Sequence, residues 1–277
     1  MILSEFLTSI KEKLASAGIE TARLDAEVLA GHVLGLDRAG VITQHDRALN
    51  VEELKILNSL VQRRIEREPV AYLTGKKEFY SLEFSVTPDV LIPRPETEFL
   101  VDYAIYYAPQ GGRVLDIGTG SGAIAVALQH SRCDLEMFAS DISDKALAVA
   151  KDNAEHLLAD NTIHFFRGDC FEPFHGERFH VIISNPPYVD PAVKDTLQHE
   201  LSYEPQSALF AEDHGRRIII KIIDESRHFL YPDGVVLIEI GAEMKDFIME
   251  YGPLRGFDTS VASDYAGLAR IAVLKNR

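Results

Sequence analysis

From residue 113 onward, short runs rich in β-branched and aromatic residues alternate with stretches of helical periodicity, and that alternation leaves few folds open. Candidate strands are Val114 to Ile117, Glu136 to Ser140, Ile163 to Arg167, His180 to Ser184 and Val235 to Ile240. Helical spacing fills the gaps at Ala123 to Gln129, Asp144 to Leu158 and, after a longer excursion, Arg216 to Phe229. Strands separated by helices pair in parallel, because a parallel pair needs a crossover long enough to bring the chain back. Two final strands, Thr259 to Ser263 and Leu268 to Leu274, have no helix between them and read as an antiparallel edge hairpin. The expectation is a doubly wound, mostly parallel α/β sheet with an antiparallel edge hairpin, preceded by a small helical domain.

That helical domain is expected over residues 1–74. Leu3, Phe6, Leu7, Ile10 and Leu14 recur at helical spacing and end at Gly18, a good left-handed terminator. A second set, Leu24, Val28, Leu29 and Val33, runs to Gly35. A third helix is predicted to start at Asn50, with Glu53 completing a capping box, and to continue through Leu54, Leu57, Val61 and Ile65 until Pro69 stops it. Residues 75–92 alternate as short strands around Ser81 and form a linking hairpin, leaving 93–277 as the α/β domain. Its first helix is entered through Ile92-Pro93-Arg94-Pro95-Glu96-Thr97-Glu98, where Pro95 suits a first helical position and the two glutamates suit the positive end of the helix dipole. Arg94 has no such explanation.

Composition narrows the partners. Lysine and arginine number 28 against 43 acidic residues, a net charge of −15, which repels a phosphate backbone unless the cations cluster. The cysteines, Cys133 and Cys170, have no paired spacing, no apolar run approaches membrane length, and nothing has metal-ligand spacing. The expectation is a cytoplasmic, monomeric protein with no metal, membrane or direct nucleic-acid partner.

Chemistry concentrates at the ends of the predicted strands. Asp116-Ile117-Gly118-Thr119-Gly120-Ser121-Gly122 leaves the first strand and opens a helix, a form that lets a ligand approach the backbone closely. The spacing and Gly-Lys of a Walker loop are missing, which argues against a nucleoside triphosphate. The next strand ends at Asp141, 19 residues beyond Gly122, where a carboxylate can accept both hydroxyls of a ribose. The third ends at Asp169-Cys170 and the fourth at Asn185-Pro186-Pro187-Tyr188. The prolines hold Asn185 and Pro186 extended, presenting a side-chain amide and a backbone carbonyl as an acceptor pair for a planar NH2 group.

With these motifs the chain resembles the S-adenosylmethionine-dependent class I methyltransferases that carry Asn-Pro-Pro-Tyr. Among them it is most similar to the bacterial peptide chain release factor N5-glutamine methyltransferases. The likeness runs through residues 92–98, 116–122 and 185–189, then Tyr203-Glu204-Pro205 with Ala208-Leu209-Phe210, and Asp264-Tyr265-Ala266-Gly267. It implies S-adenosylmethionine as cofactor, with Gly118, Thr119, Gly120, Ser121 and Gly122 around its methionine part and Asp141 on its ribose. Asp169 and Cys170 would flank the adenine, although many relatives have an aromatic residue where Cys170 stands. Asn185 would touch both cofactor and substrate. Asn185, Pro186, Pro187 and Tyr188 would hold the substrate amide, with Asn185, Pro186 and Tyr188 in the catalytic role and no side chain assigned to proton transfer. The implied substrate is the glutamine of the Gly-Gly-Gln loop in class I peptide chain release factors. The alternatives are a ribosomal-protein glutamine and the N6 amino group of adenine in nucleic acid; the charge disfavours the latter. A catalytically silent binding module would have no use for an intact amide-gripping loop.

Overall fold

The computed structural model describes residues 1–160 and 163–276. The chain divides into two units, residues 1–76 with 198–203, and residues 77–197 with 204 onward.

The first unit contains α1 (Leu3–Ser16), α2 (Ala22–Leu34), α3 (Arg38–Thr43), α4 (Val51–Ile65) and α5 (Val70–Thr74). Two of these are additions to the three helices expected. Asp37 starts α3 by accepting the Gly40 amide, and Pro69 begins α5 instead of ending α4. The α4 capping box forms as expected, with Asn50 Oδ1 and the Glu53 carboxylate each accepting the other's backbone amide at 2.9 Å. The packing face of α2 differs from the expectation: Leu24 and Val28 are 44% and 37% exposed, while Ala22, Ala26, Leu29 and Ala30 are buried. Small residues on that face join Phe6, Ile10, Leu14, Leu57 and Val61 in the unit's core. The same interior buries Asp25 against Arg64 at 2.8 Å, and the Arg64 guanidinium also reaches Glu200 at 3.0 Å. Glu200 arrives on the distant segment 198–203, whose Tyr203 hydroxyl donates to the Glu66 carbonyl. Sequence proximity gives no hint of that membership.

The second unit opens on the hairpin of β1 (Lys76–Phe79) and β2 (Leu82–Ser85). Tyr80 and Ser81 form its turn with φ of 50° and 61°, the left-handed pair a two-residue hairpin demands. Neither is glycine, and the strained turn is held from outside: the Tyr80 amide donates to Glu98 and its hydroxyl to Asp102, both at 2.8 Å. Then follow α6 (Glu98–Tyr107), β3 (Arg113–Ile117), α7 (Ala123–Ser131), β4 (Glu136–Asp141), α8 (Asp144–Leu157), β5 (His164–Arg167) and β6 (Phe179–Ser184). The chain ends with α9 (Gln206–Leu209), α10 (Arg217–Ser226), β7 (Leu230–Glu239), α11 (Lys245–Leu254), β8 (Phe257–Ser263) and β9 (Ala269–Asn276). The sequence reading had no helix at α11; its apolar side is short, Ile248 being buried with Met244 just before it, and Gly252-Pro253 resembles a turn.

Seven strands form one sheet in the order β5-β4-β3-β6-β7-β9-β8. β3 to β7 pair in parallel, as the alternating pattern requires. β9 slots antiparallel between β7 and β8, so the edge hairpin exists but its second strand lies inside. Successive residues of the central strands feed two cores. Val114, Val181, Ile183, Val235 and Leu237 pack on one face with Leu100, Val101, Ile124 and Leu128. Leu115, Ile182, Val236 and Ile238 pack on the other with Ile219, Ile222 and Ile248. A strand covered on both sides must be apolar at every position, which is why these read as continuous runs. No helix of the described residues is long and apolar enough to cross a membrane.

The strand order reverses between β3 and β6. Chain leaving β3 goes to one side of the sheet, and chain returning to β6 starts the other. The loops at their carboxyl ends therefore diverge and leave a crevice between them.

Candidate active site

That crevice is a cavity of about 510 Å3, lined by the loops after β3, β4, β5 and β6 together with residues 88–91, Pro93, Arg94 and Thr97. Of the residues singled out in the sequence, Gly118, Thr119, Gly120, Ser121, Asp141, Asp169, Cys170, Asn185, Pro186 and Pro187 all line it. Gly122 and Tyr188 do not. Gly122 caps α7 from behind the loop, packed on Ala150, and Tyr188 turns its hydroxyl to Glu239.

The Gly-rich loop is held by main-chain bonds. The amides of Gly118 and Thr119 donate to the Ser140 carbonyl at 2.8 and 2.9 Å, tying the loop to the end of β4. Gly118 and Gly120 have φ of 72° and 56°, and a Cβ at either would meet no protein atom within 4 Å. The backbone angle, not crowding, demands glycine here, and open space lies above the loop. Asp141 braces the turn: one carboxylate oxygen accepts the Gly120 amide at 3.0 Å and the other the Ser143 amide at 2.9 Å. A carboxylate has about four lone-pair sites, so acceptor capacity remains on the cavity side. Burial raises its pKa, and the Ser143, Gly120 and Ile142 amides oppose the rise. Beneath the loop, Asp116 is wholly buried; Oδ2 accepts the Thr119 hydroxyl at 2.7 Å and Oδ1 has no hydrogen-bond partner among the described residues. Loss of hydration pushes its pKa up to about 7, against the Thr119 bond that favours the ionised form.

At the third loop, Lys221 lies 2.8 Å from Asp169 and holds that carboxyl below its usual range. Cys170 is buried with φ of 55°, and burial, followed by its hydrogen bond to Asp169 and then that carboxylate's charge, pushes its thiol up to about 12. At neutral pH it is a packing group, not a nucleophile.

The fourth loop is held by side chains from far along the chain. Asn185 Nδ2 donates to Thr97 Oγ1 at 3.0 Å, Thr97 Oγ1 donates to Glu239 Oε2 at 2.7 Å, and the Tyr188 hydroxyl donates to Glu239 Oε1 at 3.2 Å. Burial first and the Glu239 charge second move the Tyr188 hydroxyl well above its ordinary pKa. Burial raises Glu239 as well, with the Thr97 and Tyr188 hydroxyls opposing. Beyond Tyr188 the chain doubles back: the Val189 amide donates to the Leu209 carbonyl and the Ala211 amide to the Val189 carbonyl. Gly215, with φ of 78°, sits so close that a Cβ would overlap the Tyr188 carbonyl oxygen. Glu204 accepts the Ile92 amide at 3.1 Å and the Arg94 guanidinium at 2.6 Å. Arg94, without a role in the sequence reading, is thus the clamp that joins residues 92–94 to the segment after the Asn-Pro-Pro-Tyr loop.

Thr97, Glu204 and Glu239 were not among the expected site residues. Thr97 stood in view as part of a helix entrance. Glu239 carried a signal that could have been used, an acid closing the apolar run Val235 to Ile238 and buried to 2% exposure.

The cavity falls in the volume range of small-molecule sites, roughly 300–1,000 Å3. Its donor set suits a nucleoside-bearing cation: backbone that can be approached closely, and carboxylates at Asp141 and Asp169. Two family models match the chain, the PrmC N-terminal domain over residues 5–75 and the methyltransferase small domain over residues 96–212. A release factor glutamine methyltransferase of Geobacter sulfurreducens is 41% identical over 93% of this chain and 91% of its own length. The Escherichia coli protein of the same description is 40% identical over 92% of both chains. A methyltransferase structure from Pyrococcus furiosus superposes with a TM-score of 0.55 at 19% identity, covering 77% of this chain and 96% of the other, which supports the fold alone. Identity of this degree over the helical and the α/β parts together leaves one assignment: the chain belongs to the release factor glutamine methyltransferase family, whose cofactor is S-adenosylmethionine.

Proposed function

We propose that this enzyme methylates the N5 side-chain nitrogen of the glutamine in the Gly-Gly-Gln loop of class I peptide chain release factors, in the cytoplasm and as a monomer. The observation that carries the reading is that Asn185, Pro186 and Pro187 line the same cavity as Gly118 to Ser121 and Asp141. An acceptor pair for a planar NH2 group and a cradle for a sulfonium nucleoside therefore share one space. The names of the 40% and 41% identical relatives point to the substrate.

Gly118 to Ser121 would hold the methionine part of the cofactor, Asp141 the ribose, and Asp169 with Cys170 the adenine. When bound, S-adenosylmethionine supplies a methyl group on a sulfonium sulfur. The rest of the chemistry belongs to the chain. An amide nitrogen is a weak nucleophile because its lone pair is shared with the carbonyl. Asn185 Oδ1 and the Pro186 carbonyl would each accept one N–H, orienting the nitrogen and stabilising the positive charge that grows on it. Such fixed orientation is worth roughly 7–11 kcal/mol in favourable systems. Tyr188, turned to Glu239 outside the cavity, would anchor the loop instead of covering the amide, and the surplus proton on the methylated nitrogen would leave to solvent. Residues 1–74 would dock the larger protein.

The test is methyl transfer from labelled cofactor to a panel: a class I release factor, the same factor with the Gly-Gly-Gln glutamine replaced by alanine, a ribosomal protein, and duplex DNA. Label confined to the intact release factor is the expected result. Label on DNA alone, or equal label on the alanine variant, overturns the proposal.

A further inference from the structure

Asn185 has two ends of similar size and opposite polarity. Only its oxygen can accept from a substrate NH2; turned over, it would offer NH2 to NH2. Something must decide which end faces the cavity. Beside Asn185 stands Thr97, at 4% exposure and bordering the cavity, and beyond it Glu239 at 2%, linked by the 2.7 Å bond from Thr97 Oγ1 to Glu239 Oε2. A threonine hydroxyl has one proton, and here it is donated to Glu239 Oε2. The Thr97 proton is therefore committed to Glu239, and what Thr97 turns towards Asn185, 3.0 Å away, is a lone pair. A lone pair takes the Nδ2 end. The oxygen is then the arm left for the cavity that Asn185 lines. The other Glu239 oxygen accepts the Tyr188 hydroxyl, so the carboxylate also ties down the far end of the same loop.

We propose that Thr97 and Glu239 are positioning residues that lock the polarity of Asn185, so that the substrate pocket accepts a hydrogen-bond donor, a primary amide, and rejects a carbonyl or carboxylate in its place. The inference rests on the proposed amide grip, and deepens it: substrate chemistry is set by a buried chain of two groups, Thr97 at the cavity wall beside Asn185 and Glu239 outside that wall. Without the Glu239 acceptor, the Thr97 proton is free to turn to Asn185 Oδ1 and the flipped amide becomes competitive.

The test uses the full-length enzyme with its protein substrate. Thr97→Val keeps the shape and removes the hydroxyl; it is expected to lower kcat/KM about tenfold to a hundredfold, the range that follows from losing one buried hydrogen bond. Cofactor Kd by calorimetry should stay within about twofold, and Thr97→Ser should recover activity to within about threefold of wild type, because the lock needs the hydroxyl and not the methyl. In an Asn185→Ala background, Thr97→Val should add less than about twofold, since a group acting through Asn185 has nothing left to act on. The Asn185 carboxamide NH2 resonances, assigned by their disappearance in Asn185→Ala, provide a readout that needs no turnover: they should shift in Thr97→Val and in Glu239→Gln and return in Thr97→Ser. Unchanged kcat/KM and unchanged resonances in Thr97→Val, or an undiminished loss on top of Asn185→Ala, overturn the lock. The proposed function is judged separately, by the activity of Asn185→Ala alone. Should Thr97→Val fail to fold, Glu239→Gln carries the same two readouts.

Discussion

Two loops leave the same edge of one sheet and are held in place by opposite means. The Gly118 to Gly122 loop is fastened through its own main chain: its amides bond to the Ser140 carbonyl and the Asp141 carboxylate at the end of the neighbouring strand, and its glycines take the left-handed angles. The Asn185 to Tyr188 loop is fastened by side chains of Thr97, Glu239 and, through the return segment, Glu204, 88, 54 and 19 residues from Asn185. The difference suits the ligands proposed for them. A surface that wraps an invariant cofactor can be built from main chain, which has the same atoms at every residue. A grip that must tell one end of an amide from the other needs side chains whose own protons are assigned by further side chains.

If the two loops are independent devices, damage to each should be separable, and the sharpest cut is at Asn185. Asn185→Ala should depress methyl transfer about a hundredfold to a thousandfold, as loss of a transition-state hydrogen-bonding group does elsewhere, with cofactor Kd changed less than about threefold. Full activity, measured by label transfer to the release factor, would show the amide grip misassigned. Conversely, Asp141→Ala should weaken cofactor binding about tenfold to a hundredfold through lost charged hydrogen bonds, measured by calorimetry, and leave the fold's cooperative melting intact. A parallel loss in affinity for the protein substrate alone, without loss of cofactor affinity, would dissolve the comparison.

Gly215→Ala probes the return segment. A side chain at φ of 78° and in overlap with the Tyr188 carbonyl should cost about 2–5 kcal/mol, lowering Tm by at least several degrees in a domain of this size. Methyl transfer should fall with it, because Tyr188 must shift. The smallest effect is expected at Asp116. Its folded pKa, about 7, is above the unfolded value near 3.8, so folding favours the protonated form. The stabilising contribution is complete below the unfolded pKa and is lost as pH rises through 7. The Tm of Asp116→Asn should therefore improve relative to wild type by a few degrees between pH 4 and pH 8. A difference that is flat with pH would show Asp116 ionised in the fold throughout.

Most of the sheet was legible because parallel strands covered on both faces write themselves as apolar runs, and Gly-x-Gly-x-Gly after such a run marks a ligand loop. The Asn50 capping box was legible for the same reason: both partners lie within one turn. Where the reading departed from the structure, the deciding partner was remote. Leu24 and Val28 looked like core by type, but a helix chooses its buried face by what packs on it, and here the alanine face packs. The helix at 245–254 was missed because Gly252-Pro253 speaks locally for a turn, while burial of Ile248 and Met244 against the sheet favours the helix.

By itself the sequence determined the fold class, the alternation of strands and helices from β3 to β7, the edge at which ligands gather, and most of the residues that face the cavity from that edge. These follow from periodicity and from glycine and proline, whose constraints act within a few residues. Only the tertiary structure decided that Arg94 clamps Glu204, that residues 198–203 complete the helical unit, and that Thr97 stands beside Asn185 with Glu239 beyond it. Hydrogen-bond partners of that kind are chosen by proximity in space, and a buried polar group reveals its purpose only when the chain that surrounds it has folded.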